Sequence, residues 1–350
     1  MFSRLAVVLV PLHATPTDQP PPLTPTRLLT EWTWVWSMAL GIAIAAALYI
    51  AGLVVMHRRG DGWPVQRSIS FLLGGLGSIA IATMSALGTY DTVLLSVHMV
   101  QHMILMMVAP LFLALGAPVT LALRTLPTRP RALLLAVLHS RLARVLTFAP
   151  LTLALFIATP FALYYSPFYE ISLSSGFWHA FLHLHFLIIG CLLMWPLLGI
   201  DPVPGTISHP LRLLMVFLML PFHAFLGISI MSSTTLIAEN WYLAFHRSWP
   251  PSPLDDQYLA GGILWASGDA LALLVLIALF VQWYAASQRE ARREDRRLDR
   301  LEARLQRAAA GPVGSPDQKE AIRYDQPRTG PAAAAEMRPA GAAGSPGDDQ

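Results

Sequence analysis

The stretch TVLLSVHMVQHMILMMVAPLFLAL, residues 92–115, decides the fold. It holds no Asp, Glu, Lys or Arg. A hydrocarbon core of ~30 Å takes roughly 20 helical residues to cross. Only helices and closed barrels satisfy their backbone groups in lipid, and a run this long and this apolar is a helix. Yet the run carries two imidazoles, His98 and His102, four residues apart. Ionisable groups at membrane depth are costly, so each one marks a candidate function.

Six more segments meet the same length criterion: Val35–Met56, Ser68–Leu87, Thr147–Tyr165, Gly176–Leu198, Pro210–Met231 and Tyr258–Trp283. With Thr92–Leu115 they predict an all-α, polytopic membrane helix bundle of about seven transmembrane helices over residues 31–286. Composition agrees. Of 350 residues, 55% are hydrophobic and 13% charged, about half the roughly one-quarter charged share of a soluble domain. The net charge of +3 is no nucleic-acid signal, because the arginines are sorted by loop. The single cysteine, Cys191, excludes a disulfide framework and any CxxC motif. A soft metal would have to be held by the 11 histidines and 13 methionines. Pro110, Pro160, Pro196 and Pro221 fall inside spans and predict kinks or helix ends.

Arginine sets the expected orientation. Arg58, Arg59 and Arg67 follow the first span, five arginines from Arg124 to Arg144 follow the third, and Arg212 follows the fifth. Eight more lie in Ser287–Arg307, whereas the opposite loops hold only Arg247. The N-terminus is therefore expected outside and the C-terminus in the cytoplasm. Residues 1–30, Pro-rich from Pro16 to Pro25, read as an irregular leader, and 131–146 as an amphipathic surface helix. Residues 287–310 read as a basic cytoplasmic helix with Leu298, Leu301 and Leu305 on one stripe. It either extends the last span or docks a partner. From 311 onward the Ala/Gly/Pro-rich chain is expected to be disordered.

The other titratable groups inside the spans are few. They are His179, His183 and His185 in the fifth, His223 in the sixth and Asp269 in the seventh. At 1.5 Å per residue, helices of opposite direction place histidine at similar depth in the outer half of the bilayer. Residues i and i+4 share a helix face, so His98/His102 and His179/His183 each present two imidazoles to one cavity. His185 points away. Such a cluster suits copper, zinc or iron. Met99, Met103, Met106 and Met107 flank the first pair, as thioether ligands or as ordinary packing. Asp91, Glu170, Glu239, Asp255 and Asp256 face outward against Arg247 alone, which would make a negative mouth for cations. Trp241 and Tyr242 form an interfacial belt or a lid.

Several stretches resemble the CtaG family, the cytochrome c oxidase assembly factors associated with caa3-type oxidases. They are HMVQHMILMMVAP (98–110) followed by LGAP (115–118), WPLLGIDP (195–202), PFHAFLGISIM (221–231), and DQYLAGGILW (256–265) with Gly268-Asp269. The likeness runs in order over roughly residues 35–290. It implies a multi-pass protein of the bacterial plasma membrane, not an enzyme. Its role would be to assist maturation of a haem–copper oxidase, with oxidase subunits and the bilayer as partners and no nucleic acid. Copper held by His98, His102, His179, His183, His223 and Asp269 is the implied cargo. A haem-binding cytochrome and a copper or proton transporter are the alternatives. A through-path would need polar groups in the inner half, where Cys191, Thr152 and Ser78 are among the few.

Overall fold

A computed structural model describes residues 21–309 apart from 206. The chain divides at Ala286/Ser287 into two units. Among the described residues the first unit is helical apart from one isolated bridge, Trp32 with Ser85. Six helices are long and apolar enough to cross a membrane, and a bent pair raises the number to seven. They are Trp36–Arg58, Val65–Met84, Leu95–Thr125, Gly176–Leu198, His209–Ser232 and the helix starting at Pro253. The bent pair, Ala149–Tyr164 and Phe168–Ser174, turns by 73° and takes the place of the fourth span. The expected helix over Thr147–Tyr165 is thus a 16-residue segment that stops where Ser166-Pro167 interrupts it. The fifth span matches its expected bounds, Gly176–Leu198, at both ends.

Two other expectations change. Part of the leader, Pro25–Thr30, is a short helix started by proline and capped by Thr24. The surface segment 131–146 is two helices, Thr128–Leu138 and Arg141–Leu146, because Ser140 caps the second and breaks the first. Residues 1–20 and 311–350, the rest of the leader and the expected disordered tail, lie outside the described residues.

The third span is the axis of packing, touching the second, fifth and seventh. It is not a uniform helix. Ile104–Val108 is a π-turn between two α segments. Pro110 explains it: the ring supplies no N–H and crowds the carbonyl four residues back, which is Met106. The fifth span lies against that carbonyl at Gly190, where a Cβ would collide with Met106 O and the Pro110 ring. Glycine is required there by close approach of two backbones. The second span makes a similar concession over Ser70–Leu76, where Gly74 and Gly75 lie against Phe112 and Leu113.

Two carboxylates cap helix ends. Asp256, at the start of the last long helix, accepts from Leu95 N at 2.6 Å and from the Ser96 hydroxyl, closing the N-terminal end of the third span. Asp201 accepts from Val119 N and Thr120 N at 3.1 and 2.8 Å, and from Trp195 Nε1 at 3.1 Å. That caps Pro118–Thr125, whose preceding residue Ala117 is left-handed at φ 51°. The motif residues Trp195 and Asp201 are therefore a brace between the third and fifth spans. The methionines Met99, Met103, Met106 and Met107 all belong to the buried core.

The second unit is described by residues Ser287–Ala309, the end of the helix Pro253–Ala309. Leu298, Leu301 and Leu305 are exposed along it.

Candidate metal centre

The second span ends at Met84, and Ser85 turns extended to start the short helix Ala86–Tyr90. The chain then needs only Asp91–Leu94 to reach the third span. That short connection carries Asp91 inward, where it is 1% exposed. From the fifth span, His179 and His183 meet it. His179 Nε2 lies 2.7 Å from Asp91 Oδ2, and His183 Nε2 lies 3.4 Å from the same oxygen. One ligand atom from each of the three residues falls within 4.8 Å of the others. The two imidazoles, one helical turn apart, have ring centres 4.4 Å apart.

His98 stands beside this group, its ring centre 6.2 Å from that of His179. It is fully buried, and neither ring nitrogen has a hydrogen-bond partner among the described residues. A buried polar group left without a partner costs roughly 1–3 kcal/mol. Asp91 Oδ1 is orphaned in the same way. Orphaned donors and acceptors converging from separate elements are what a metal ligand set looks like without its ion. Burial disfavours charge on Asp91, but the imidazoles of His179 and His183 more than offset this and hold its carboxyl well below the usual carboxylate range.

His102 behaves differently from His98. Its Nδ1 lies 3.1 Å from the Tyr164 hydroxyl and its Nε2 lies 3.0 Å from Met106 Sδ. Its ring stacks on Phe186 at 4.1 Å and 6°. Both nitrogens are thus occupied, so the His98/His102 pair does not present two open imidazoles to one cavity. His223 packs against Phe156, and Gly268 of the last span lies against its ring. Asp269 follows that glycine, half-buried, with Oδ1 unpartnered among the described residues. These two form a separate neighbourhood on the sixth and seventh spans. His185 bonds Thr159 at 3.3 Å and is turned from the cluster, as its spacing predicts.

Aromatic residues from two neighbouring segments cover the cluster. Tyr169 packs on His98 with ring centres 5.1 Å apart, and its hydroxyl meets that of Tyr242 at 2.7 Å. Trp241 Nε1 donates to Thr92 O at 2.8 Å. Burial pushes the Tyr242 phenol up, which keeps it neutral over the site. Tyr242 and Trp241 are therefore a lid, not an interfacial belt. The negative mouth is smaller than expected, because Asp91 sits in the cluster and Asp256 caps a helix. Of the five acids, Glu239 and Asp255 are exposed and Glu170 is half-buried, accepting from Asn240 Nδ2.

Asp91 is the candidate ligand that sequence reasoning missed. The available signal was its position: an acid four residues ahead of the histidine-bearing helix, on a connection too short to carry it away. Away from the cluster, Ser78 and Thr152 return their hydroxyl hydrogens to their own helices, at Gly75 O and Ala149 O.

A polytopic helical membrane protein with a buried carboxylate–imidazole cluster toward one end of its bundle is the class so defined. Residues 47–286 match the sequence model of the cytochrome c oxidase caa3 assembly factor family, and the chain belongs to that family. Two uncharacterized proteins, from Mycobacterium bovis and Mycobacterium tuberculosis, are each 37% identical to it over 289 residues. A third, from Mycobacterium leprae, is 33% identical over the same length. Each match covers 81% of this chain and 44% of the relative, so the chain spans less than half the length of these relatives. No solved structure matches it.

Proposed function

We propose that this chain binds copper from the outer side of the bacterial plasma membrane and hands it toward the copper centre of a haem–copper oxidase. Oxidase subunits would be its partners, and it would not turn over a substrate. The N-terminus would face outward and the C-terminus the cytoplasm, as the arginine distribution indicates. Asp91, His179, His183 and His98 are the ligands this reading favours. His102 braces the fifth span through Phe186, and His223 with Asp269 would be a second station for the ion.

One observation carries the reading: three potential ligand groups from two elements lie within 4.8 Å of one another, next to an imidazole with both nitrogens unbonded. Imidazole and carboxylate together suit a divalent ion such as Cu(II) or Zn(II). Membership of an oxidase assembly family favours copper. The Asp91–His179 contact at 2.7 Å is a hydrogen bond, closer than two ligands of one ion sit. Binding would therefore displace the shared proton and open the pair slightly.

The test is metal content and an optical spectrum of the detergent-purified protein after incubation with copper or zinc. About one tightly held copper per chain is expected, lost on substituting Asp91 or His179. A strong Soret band would assign the histidines to haem, and no retained metal would remove the cargo altogether.

A further inference from the structure

The helix that carries Leu298, Leu301 and Leu305 takes no part in the cluster. We infer that it is the parallel two-stranded coiled-coil interface of a homodimer, with a second copy of this chain covering the leucine stripe.

The register comes from the residues. With Leu298 at position a of a seven-residue repeat, Leu301 falls at d and Leu305 at the next a. All three are at least 44% exposed, so nothing within the described chain covers them. Most of the arginines lie on the far side of the helix. Counted at 100° per residue, Arg289, Arg292, Arg293, Arg296, Arg300 and Arg307 point away from the leucines, and Arg297 and Arg304 flank them. A solvated spacer needs no such sorting.

Charge at the flanks selects the occupant. Arg297 takes position g, and Glu302, five residues on, takes position e. In a parallel dimer each g residue faces the following e of the other helix. Arg297 of one copy thereby meets Glu302 of the other, twice by symmetry. An antiparallel pair would set g against g, arginine against arginine. The charges therefore select the parallel pairing. Sharing the bilayer also raises the effective concentration of the two helices, which lets a short seam suffice. The heptad before Leu298 works against closure, since Glu294 occupies d and Glu290 would face Asp295. The seam accordingly closes from Leu298 outward.

The experiment uses the full chain in its membrane, with Cys191→Ala removing the native thiol. Single cysteines are placed on the seam (Leu298→Cys, Leu305→Cys) or on the outer face (Arg296→Cys, Ala303→Cys) and oxidised. Disulfide-linked dimer is expected from the two seam variants and not from the outer ones. Absence of seam dimer, equal yield at all four positions, or linkage only to a different protein would each overturn the proposal. The charge pair is tested at Leu298→Cys: Arg297→Glu and Glu302→Arg should each lower the dimer yield, and the two together should restore it. These positions are exposed, so loss of folding does not obscure the result. Failure of the double exchange to restore dimer would overturn the parallel pairing.

Discussion

Asp91 and His179, 88 residues apart, are joined at 2.7 Å inside a shell where neither is more than 1% exposed. The same carboxylate oxygen lies 3.4 Å from His183. One acid on a four-residue connection therefore sets the orientation of two imidazoles on another span. Groups that orient metal-binding histidines in this way contribute about 10- to 100-fold to affinity when they are not ligands themselves.

Asp91→Asn keeps the shape and removes the charge. Copper affinity of the purified protein should fall at least tenfold on that scale, read by competition with a chelator of known affinity. Unchanged affinity would exclude Asp91 from the site.

His98→Ala and His102→Ala should separate, although the residues are one helical turn apart. His98 has no hydrogen bond to lose among the described residues, only ring packing such as that on Tyr169, so its removal should cost less stability than that of His102 and should lower the retained copper and the copper-loaded oxidase in membranes. His102 gives up Tyr164, Met106 and the stack on Phe186. Its loss should cost about 2–3 kcal/mol of stability, with a smaller effect on metal content. Thermal unfolding in detergent and metal analysis of the same preparations distinguish the two.

Gly190→Ala should act at a distance. The added methyl meets the Met106 carbonyl and must push the third and fifth spans apart. A loss of about 1–3 kcal/mol is expected from overpacking. Copper should be retained less well, because His98 and His179 sit on those two spans. A fully stable, fully loading variant would show that the close approach is dispensable.

Asp256→Ala removes the cap of the third span and should cost about 1–2 kcal/mol. Copper stoichiometry should hold in the fraction that stays folded. The comparison with Asp91→Asn is informative because both acids lie at the N-terminal end of the third span and only one touches the cluster.

Much of the membrane domain was legible in the sequence because apolar run length is a local property. The fifth span matches at both ends, and the sixth, Pro210–Met231, lies within His209–Ser232. The π-turn at Ile104–Val108 was not legible, since it arises from Pro110 acting on a carbonyl that Gly190 of another helix then covers. The site was half legible for the same reason. The i,i+4 spacing placed His179 and His183 together. The same spacing could not tell that Tyr164 and Met106 would occupy His102 while His98 stayed open. The pairing of Asp91 with His179 joins residues 88 apart in sequence, and no periodicity in either segment announces it.

The 16-residue fourth helix rises only ~24 Å, against a hydrocarbon thickness of ~30 Å. A span that short is met by thinned lipid, by flanking side chains that reach back to the interface or by neighbouring helices. The bend at Ser166-Pro167 sets Tyr164 and Tyr169 next to His98. The missing length therefore falls at the end of the bundle that holds the buried imidazoles, which in the proposed orientation is the end an arriving ion meets first.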